Sequence, residues 1–142
     1  MSHFHPLKIS ALRRDTRDAV VISFEIPESL STEFAYQPGQ HLTLRTHIQG
    51  EEVRRSYSIC SAVQDHELRI GIKKVTDGLF STWATSALEA GMVVDVMPPE
   101  GHFHVPFDAT SQRSYLAIAA GSGITPIFSI MKSTLLAEPN SR

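Results

Sequence analysis

The sequence predicts a mainly β protein. A six-stranded antiparallel barrel with one helix is expected over residues 1–108, followed over 109–142 by the first βα unit of an α/β domain cut short. Three observations carry this reading. Short segments of alternating apolar and polar residues follow one another up to Phe107, broken by a single stretch at helical spacing. Turn residues rather than helices separate those segments, which favours antiparallel neighbours. The last third then changes character, with a continuous apolar run at 115–120, a glycine turn and a second helical pattern.

The first strand is expected over 7–14, with a polar outer face. The second, over 19–26, puts Val20, Ile22, Phe24 and Ile26 on one side and Ser23 and Glu25 on the other, and Pro27 stops it. Gln37-Pro38-Gly39-Gln40 is a turn signal, after which Leu42, Leu44 and Ile48 alternate with Thr43, Arg45 and His47. Gln49-Gly50-Glu51 is expected to be a hairpin loop into a strand over 51–60. The strand at 67–74 has Leu68, Ile70 and Ile72 inward, with Arg69 and Lys73 outward. Leu79, Phe80, Trp83, Ala84, Ala87 and Leu88 then recur at helical spacing. Asp77 or Gly78 is expected to cap that helix, and Gly91 to mark its end. A sixth strand over 92–97 ends at Pro98-Pro99. Finally, Thr125 as cap and Pro126 in the first turn are expected to open a helix whose apolar face carries Ile127, Ile130, Met131 and Leu135. Lacking a second strand, that face is expected to pack on a neighbouring chain, giving self-association, or to be disordered.

The chain has 142 residues, 42% hydrophobic and 20% charged, with a net charge of −2, as expected of a folded domain with a sizeable core. No basic surplus points to nucleic acid. No apolar run is long enough for a membrane span, and Met1-Ser2-His3-Phe4-His5-Pro6 does not read as a signal peptide. One cysteine, Cys60, rules out an internal disulfide or a four-cysteine cluster within these residues. Cytoplasmic is the expected compartment.

Three stretches carry candidate chemistry. Arg55-Ser56-Tyr57-Ser58 offers a permanent cation, a flat ring and small hydroxyls at a strand end, which suits a ligand with an anionic part and a planar part. By strand parity Arg55 and Tyr57 share a face and Ser58 points the other way, unless the strand bends. Ile72-Lys73-Lys74 leads through a glycine turn to Gly78-Leu79-Phe80-Ser81, where free amides at a helix start suit an anion. Gly121-Ser122-Gly123-Ile124-Thr125-Pro126 repeats the strand–glycine turn–helix arrangement. Each alone is also what an ordinary turn looks like; their order and type together are more specific.

These stretches, with Pro38-Gly39-Gln40 and Pro99-Glu100-Gly101-His102-Phe103, resemble the ferredoxin–NADP⁺ reductase-like flavoproteins over essentially the whole chain. Arg55 to Ser58 resembles that family's Arg-x-Tyr-Ser motif and Gly78 to Ser81 its Gly-x-x-Ser turn. Gly121 to Pro126 is similar to its nicotinamide-side loop. The closest resemblance is to the branch serving the bacterial phenylacetyl-CoA epoxidase in phenylacetate degradation. The resemblance implies a Greek-key FAD-binding barrel followed by an NADH- or NADPH-binding domain. It implies that Arg55 pairs with the FAD phosphates, that Ser56 belongs to the cofactor-binding set, that Tyr57 stacks on the isoalloxazine and that Ser58 hydrogen-bonds near N5, making Tyr57 and Ser58 the catalytic pair. Ile72, Lys73 and Lys74 would lie beside the adenosine and pyrophosphate. Gly78, Leu79, Phe80 and Ser81 would hold the pyrophosphate, and Gly121, Ser122, Gly123 and Thr125 would line the nicotinamide approach. It further implies an oxygenase component or ferredoxin-type acceptor, with a [2Fe-2S] centre outside these residues. The alternatives are a flavin-binding piece without turnover, or a reductase domain for another acceptor such as a flavohaemoprotein.

The seven histidines lack a carboxylate or third ligand at a recognisable spacing, although His102 and His104 share a strand face, so no metal site is expected. Cys60 reads as a small, mostly buried hydrophobe, and Phe80 and Trp83 as helix core.

Overall fold

A computed structural model describes residues 3–142; the start of the N-terminal hexapeptide, Met1-Ser2, lies outside them. Six strands form one antiparallel sheet: β1 (His5–Thr16), β2 (Ala19–Glu25), β3 (His41–Ile48), β4 (Glu51–Ser58), β5 (Leu68–Lys73) and β6 (Val93–Val96). Their order is β4-β3-β6-β1-β2-β5. The two ends of the sheet meet at a single bridge, Ile59 with Ile70, backed by the Cys60 N–H donating to the Arg69 carbonyl at 2.8 Å. That closes the barrel along a short seam and leaves most of the β4–β5 edge unpaired.

Alternation explains the elements. Val20, Ile22 and Phe24 of β2 are buried, as are Leu42 and Leu44 of β3 and Leu68, Ile70 and Ile72 of β5. Each such side chain contributes about 1.5–3 kcal/mol when fully buried. β1 is longer than its alternation suggests because its pairing with β2 shifts register between Ile9 and Ala11. The extra residue restores inward parity, so Leu7 and Ile9 are buried on one side of the irregularity and Leu12 packs on the core from the other. Gln49 and Gly50, with φ of 54° and 83°, make the two-residue β3–β4 loop.

Helix α1 (Leu79–Ser86) adds Phe80 and Ala84 to the barrel core. Its N-cap is Gly78, without a side-chain cap bond; Asp77 precedes it with φ of 58°. The helix ends before Leu88. Gly91, with φ of 92°, belongs instead to the turn into β6, where its N–H donates to the Ile9 carbonyl.

The C-terminal third departs from expectation in three ways. The predicted strand at 115–120 forms no sheet ladder, because no neighbouring strand is there to pair with it; Leu116 is 86% and Ile118 79% exposed. It is tied down at its start, where the Tyr115 N–H donates to the Arg142 carbonyl at 2.7 Å and the Tyr115 hydroxyl to buried Glu138 at 2.7 Å, and at its end, where the Ala120 carbonyl accepts from the Gly123 N–H at 3.1 Å. Helix α2 (Ile124–Ala137) is capped by Gly123, not Thr125, whose hydroxyl turns back to the Ser122 carbonyl. And α2 docks on the barrel through its small polar face, leaving Phe128, Met131 and Leu135 exposed. Ile127 and Ile130 are half-buried.

The dock is specific. The Ser129 hydroxyl donates to the Ser61 carbonyl at 2.6 Å, and the Val63 N–H donates to the Ser133 hydroxyl at 3.1 Å. Lys132 Nζ meets one oxygen of Asp65 at 2.6 Å, and Arg69 meets the other at 2.7 Å. Burial pushes the Asp65 carboxyl up, but the Lys132 hydrogen bond, the Ala62 N–H and the charges of Lys132 and Arg69 outweigh it, and its pKa is held below the ordinary carboxylate value. A folded pKa below the unfolded one contributes stability above the unfolded value of about 3.9 and loses it as pH falls through the folded pKa. Hydrogen exchange at the Val63 amide is therefore expected to stay slow at neutral pH and to accelerate only below the ordinary carboxylate range, whereas Asp65→Asn exchanges fast at pH 7. Equal protection in the variant at pH 7 would show that Asp65 does not hold α2.

Candidate functional site

Cross-strand register places the candidate residues. Leu44 pairs with Arg55 and Leu42 with Tyr57, so Arg55 and Tyr57 lie on the face that carries the barrel core. Thr43 pairs with Ser56 and His41 with Ser58, so the two serines take the outer face. The parity read from the sequence therefore holds through β4. Directly after Ser58 the chain touches both neighbours: Ile59 bridges to Ile70, and its N–H still donates to the carbonyl of Gln40, just before β3, at 2.9 Å. Tyr57 and Ser58 thus sit at the end of β4, beside the bridge that closes the barrel, on its two opposite faces.

Arg55 is on the core-side face yet exposed, because it borders the unpaired β4–β5 edge. It donates one guanidinium N–H to the Arg54 carbonyl at 2.7 Å and, among the described residues, forms no ion pair with a carboxylate. Arg54 and Arg45 are spoken for, by Glu52 at 2.6 Å and Asp95 at 2.7 Å. Four guanidinium N–H groups of Arg55 remain for an anion. Tyr57 is half-buried, its ring 5.7 Å from that of Phe80 and tilted by 37°. Burial pushes the Tyr57 phenol up, with the Arg55 charge working against it. Ser56 shares a hydrogen bond of 2.9 Å with Thr43 on the outer surface.

The α1 start lies beside the same strand end, since Phe80 in its first turn packs on the Tyr57 ring. The amides of Leu79, Phe80 and Ser81 fall in the first turn, where no carbonyl of the helix can accept from them. Ser81 differs from expectation. It is 5% exposed, and its hydroxyl accepts from the Val75 N–H at 3.0 Å and donates to the Gly78 carbonyl at 3.3 Å. The hydroxyl shapes the turn, leaving the backbone to meet a ligand. Gly78 is required by the same contact: a Cβ there would lie 2.4 Å from the Ser81 hydroxyl.

Ile72 is fully buried, so its side chain cannot touch a ligand in this site; Lys73 and Lys74 beside it are exposed. The Gly121–Gly123 turn is also set apart. Its neighbour Thr125 lies against β5, with its methyl 3.2 Å from where a Cβ on Gly71 would be. Gly121, Ser122, Gly123 and Thr125 therefore flank the barrel at β5 rather than meeting Arg55.

His41 is not among the residues that the sequence singles out. It stands opposite Ser58 and lines a cavity of about 590 Å³ with Gln40, Glu100, Gly101, His102 and His104. Only the register of β3 against β4 reveals it. His102 and His104 are exposed loop residues, not members of a strand. Among the described residues no group of three metal-ligating side chains converges. Cys60 is half-buried and its thiol is pushed up by burial, which makes it a poor nucleophile.

Residues 6–105 match the family described as the oxidoreductase FAD-binding domain. The chain belongs to that family. It is 44% identical to one of the subunits of the 1,2-phenylacetyl-CoA epoxidase of Escherichia coli strain K12, over the whole of this chain and 40% of the relative. It is 37% identical to the ferredoxin reductase component of the 3-ketosteroid-9-alpha-monooxygenase of Rhodococcus rhodochrous, over 91% of this chain and 36% of that one. Among solved structures, phthalate dioxygenase reductase, described as modular for electron transfer from pyridine nucleotides to [2Fe-2S], superposes with a TM-score of 0.72 at 28% identity. That match covers 94% of this chain and 40% of the other. The chain thus spans about two fifths of the length of each relative. Within this ferredoxin reductase-like family the barrel is the flavin-binding part. Among the described residues no helix is long and apolar enough to cross a membrane.

Proposed function

We propose that the chain is the FAD-binding module of an NAD(P)H-dependent reductase that passes electrons through an iron–sulfur centre to an oxygenase of the phenylacetyl-CoA epoxidase type. One observation carries the reading. An arginine without a carboxylate partner among the described residues, a half-buried tyrosine and the first-turn amides of a helix lie near the strand end where a single bridge closes the barrel. These are the donors and the apolar surface that a flavin dinucleotide needs, and the glycine at 78 keeps the turn open to it.

In this reading Arg55 neutralises the pyrophosphate, helped by the amides of Leu79, Phe80 and Ser81. Tyr57 supplies the stacking face, braced from behind by Phe80. Ser58, on the opposite face at the strand end, would offer its hydroxyl to the edge of the ring, and His41 stands opposite it in the β3–β4 register. When bound, FAD supplies hydride acceptance from a nicotinamide and release of single electrons. The chain's own residues bind it, orient it and shield one ring face from water. Gly121, Ser122, Gly123 and Thr125, held at β5 by the α2 dock, present the nicotinamide side. Residues 109–142 are assigned to the start of the nicotinamide domain, and the iron–sulfur centre to residues outside this chain.

The absorption spectrum of the purified chain, before and after added FAD, tests the flavin reading. Yellow protein with one FAD per chain is expected; colourless protein that takes up no FAD overturns it. NADH-dependent reduction of ferricyanide separates a working reductase from a flavin carrier without turnover. The exposed 115–120 segment favours the carrier for the chain as it stands.

A further inference from the structure

Helix α2 reaches the strand end that carries Ser58, and two consecutive residues make the contact. The hydroxyl of fully buried Ser129 donates to the Ser61 carbonyl at 2.6 Å, three residues after Ser58. Ile130 lies against Gly39, two residues before His41: a Cβ on Gly39 would stand 3.1 Å from the Ile130 Cδ1. The segments gripped are those that lead into His41 and out of Ser58, which face each other across β3 and β4. Tyr36 joins the same two segments directly. Its hydroxyl donates to the Ala62 carbonyl at 2.8 Å and lies 2.8 Å from Ser61 Oγ, which accepts from the Arg69 N–H at 3.1 Å. Burial pushes the Tyr36 phenol up to about 12, so it keeps the proton that it donates.

His41 and Ser58 are not held to each other by backbone bonds. Both backbone groups of His41 go to Glu100, its N–H at 2.9 Å and its carbonyl at 3.0 Å, so neither is left for Ser58. On one flank the β3–β4 ladder sets their spacing. On the other it is set by the Ile59 N–H on the Gln40 carbonyl and by whatever fixes the 39–40 turn and the 61–62 segment. Helix α2 bears on both of these. Its dock is also of a kind that opens: Ser129, Lys132 and Ser133 are polar, and water satisfies their groups once they part from the barrel.

We infer that α2 is a latch on the Ser58 end of the site. Docked, it holds His41, Ser58 and the 39–40 turn in register; released, it lets that end loosen while the rest of the barrel stays folded. Tyr36 is the positioning residue that carries the grip from the 61–62 segment to the entry of β3. The geometry at Ser58 thereby depends on where the helix after Gly121–Gly123 sits. The bearing of this on hydride transfer rests on the flavin reading above; the latch itself does not.

The test is hydrogen exchange of the full chain without flavin, read amide by amide. Ser129→Asp puts a carboxylate against the Ser61 carbonyl and should expel α2. The Val63 amide, which donates to Ser133, reports the release. The Ile59 amide, which donates to Gln40, reports the strand end. Both are expected to accelerate by roughly tenfold or more, as the loss of a buried hydrogen bond does to a local opening, while the amides of β1 and β2 keep their protection. Tyr36→Phe keeps the ring and removes the link, so Ile59 should accelerate and Val63 should not. Release of Val63 with Ile59 unmoved overturns the inference, because the dock then opens unnoticed by the strand end. So does an unmoved Val63 in Ser129→Asp, which would show that Ser129 grips nothing. Uniform acceleration through β1 and β2 overturns it too, since α2 would then support the whole barrel. None of these outcomes involves FAD, so the flavin reading stands or falls separately, on the uptake of FAD.

Discussion

Arg55→Ala is expected to weaken FAD binding by roughly 30- to 150-fold with no loss of fold. A hydrogen bond to a charged group contributes about 1.5–3 kcal/mol, and Arg55 offers several to one pyrophosphate. The fold should be indifferent, because the side chain is exposed and its one intramolecular bond goes to its neighbour Arg54. Arg55→Lys should recover part of the loss, since an ammonium keeps the charge and gives up the planar fork. Titration followed by flavin fluorescence, beside a thermal melt, checks both halves. An unchanged affinity in Arg55→Ala would show that the phosphates lie elsewhere, and the α1 amides would then have no cationic partner on β4.

Gly39→Ala should act on the fold rather than on the ligand, destabilising it by about 3 kcal/mol or more. Gly39 has φ of 96°, and a Cβ there would fall 1.6 Å from the carbonyl oxygen of Phe103 and 2.8 Å from its carbon. Both partners are backbone, so no rotamer change relieves the overlap. The 103 segment must move away from the β3 start, pulling the wall off the cavity beside His41 and Ser58. At this chain length the loss corresponds to a fall of roughly 6–12 °C in Tm. Gly50 and Gly91 provide the control. Both have positive φ, but nothing lies within 4 Å of where a Cβ would stand, so alanine there carries only the backbone cost of about 1–2 kcal/mol. A Gly39→Ala protein that melts no lower than Gly50→Ala would refute the close-approach argument.

Where one face of a strand meets core and the other meets water, alternation alone locates the element, as in β2, β3 and β5. β1 reads short because its register shift hides the repeat: Leu7 and Ile9 keep one parity and Leu12 the other. The apolar residues of α2 announce the helix, but serines choose its docking face. Ser129 and Ser133 are fully buried because each hydroxyl finds a specific backbone partner in the 61–63 segment, a pairing across some 70 residues that no local pattern announces. The run at 115–120 has the composition of a buried strand, but composition cannot supply a neighbour to pair with. In the site, Arg55 and Tyr57 are legible as residue types. The burial of Ile72 follows from alternation, whereas the engagement of the Ser81 hydroxyl and the position of His41 opposite Ser58 depend on register and tertiary packing.

The place of β1 in the sheet bears on how the molecule is made. Its partners are β2, immediately downstream, and β6, whose Val93–Val96 segment pairs with His5 to Lys8. On the ribosome, where about 5–20 residues emerge each second, the first strand waits for the last with one edge open. Leu7 and Ile9, both fully enclosed in the finished barrel, are exposed during that interval. Synthesis pauses or nicks before residue 96 should therefore leave a sticky half-barrel, whereas arrests after β6 release a domain that has already shut. This order makes β1, like β3 on the other side of β6, a point of vulnerability to aggregation during translation.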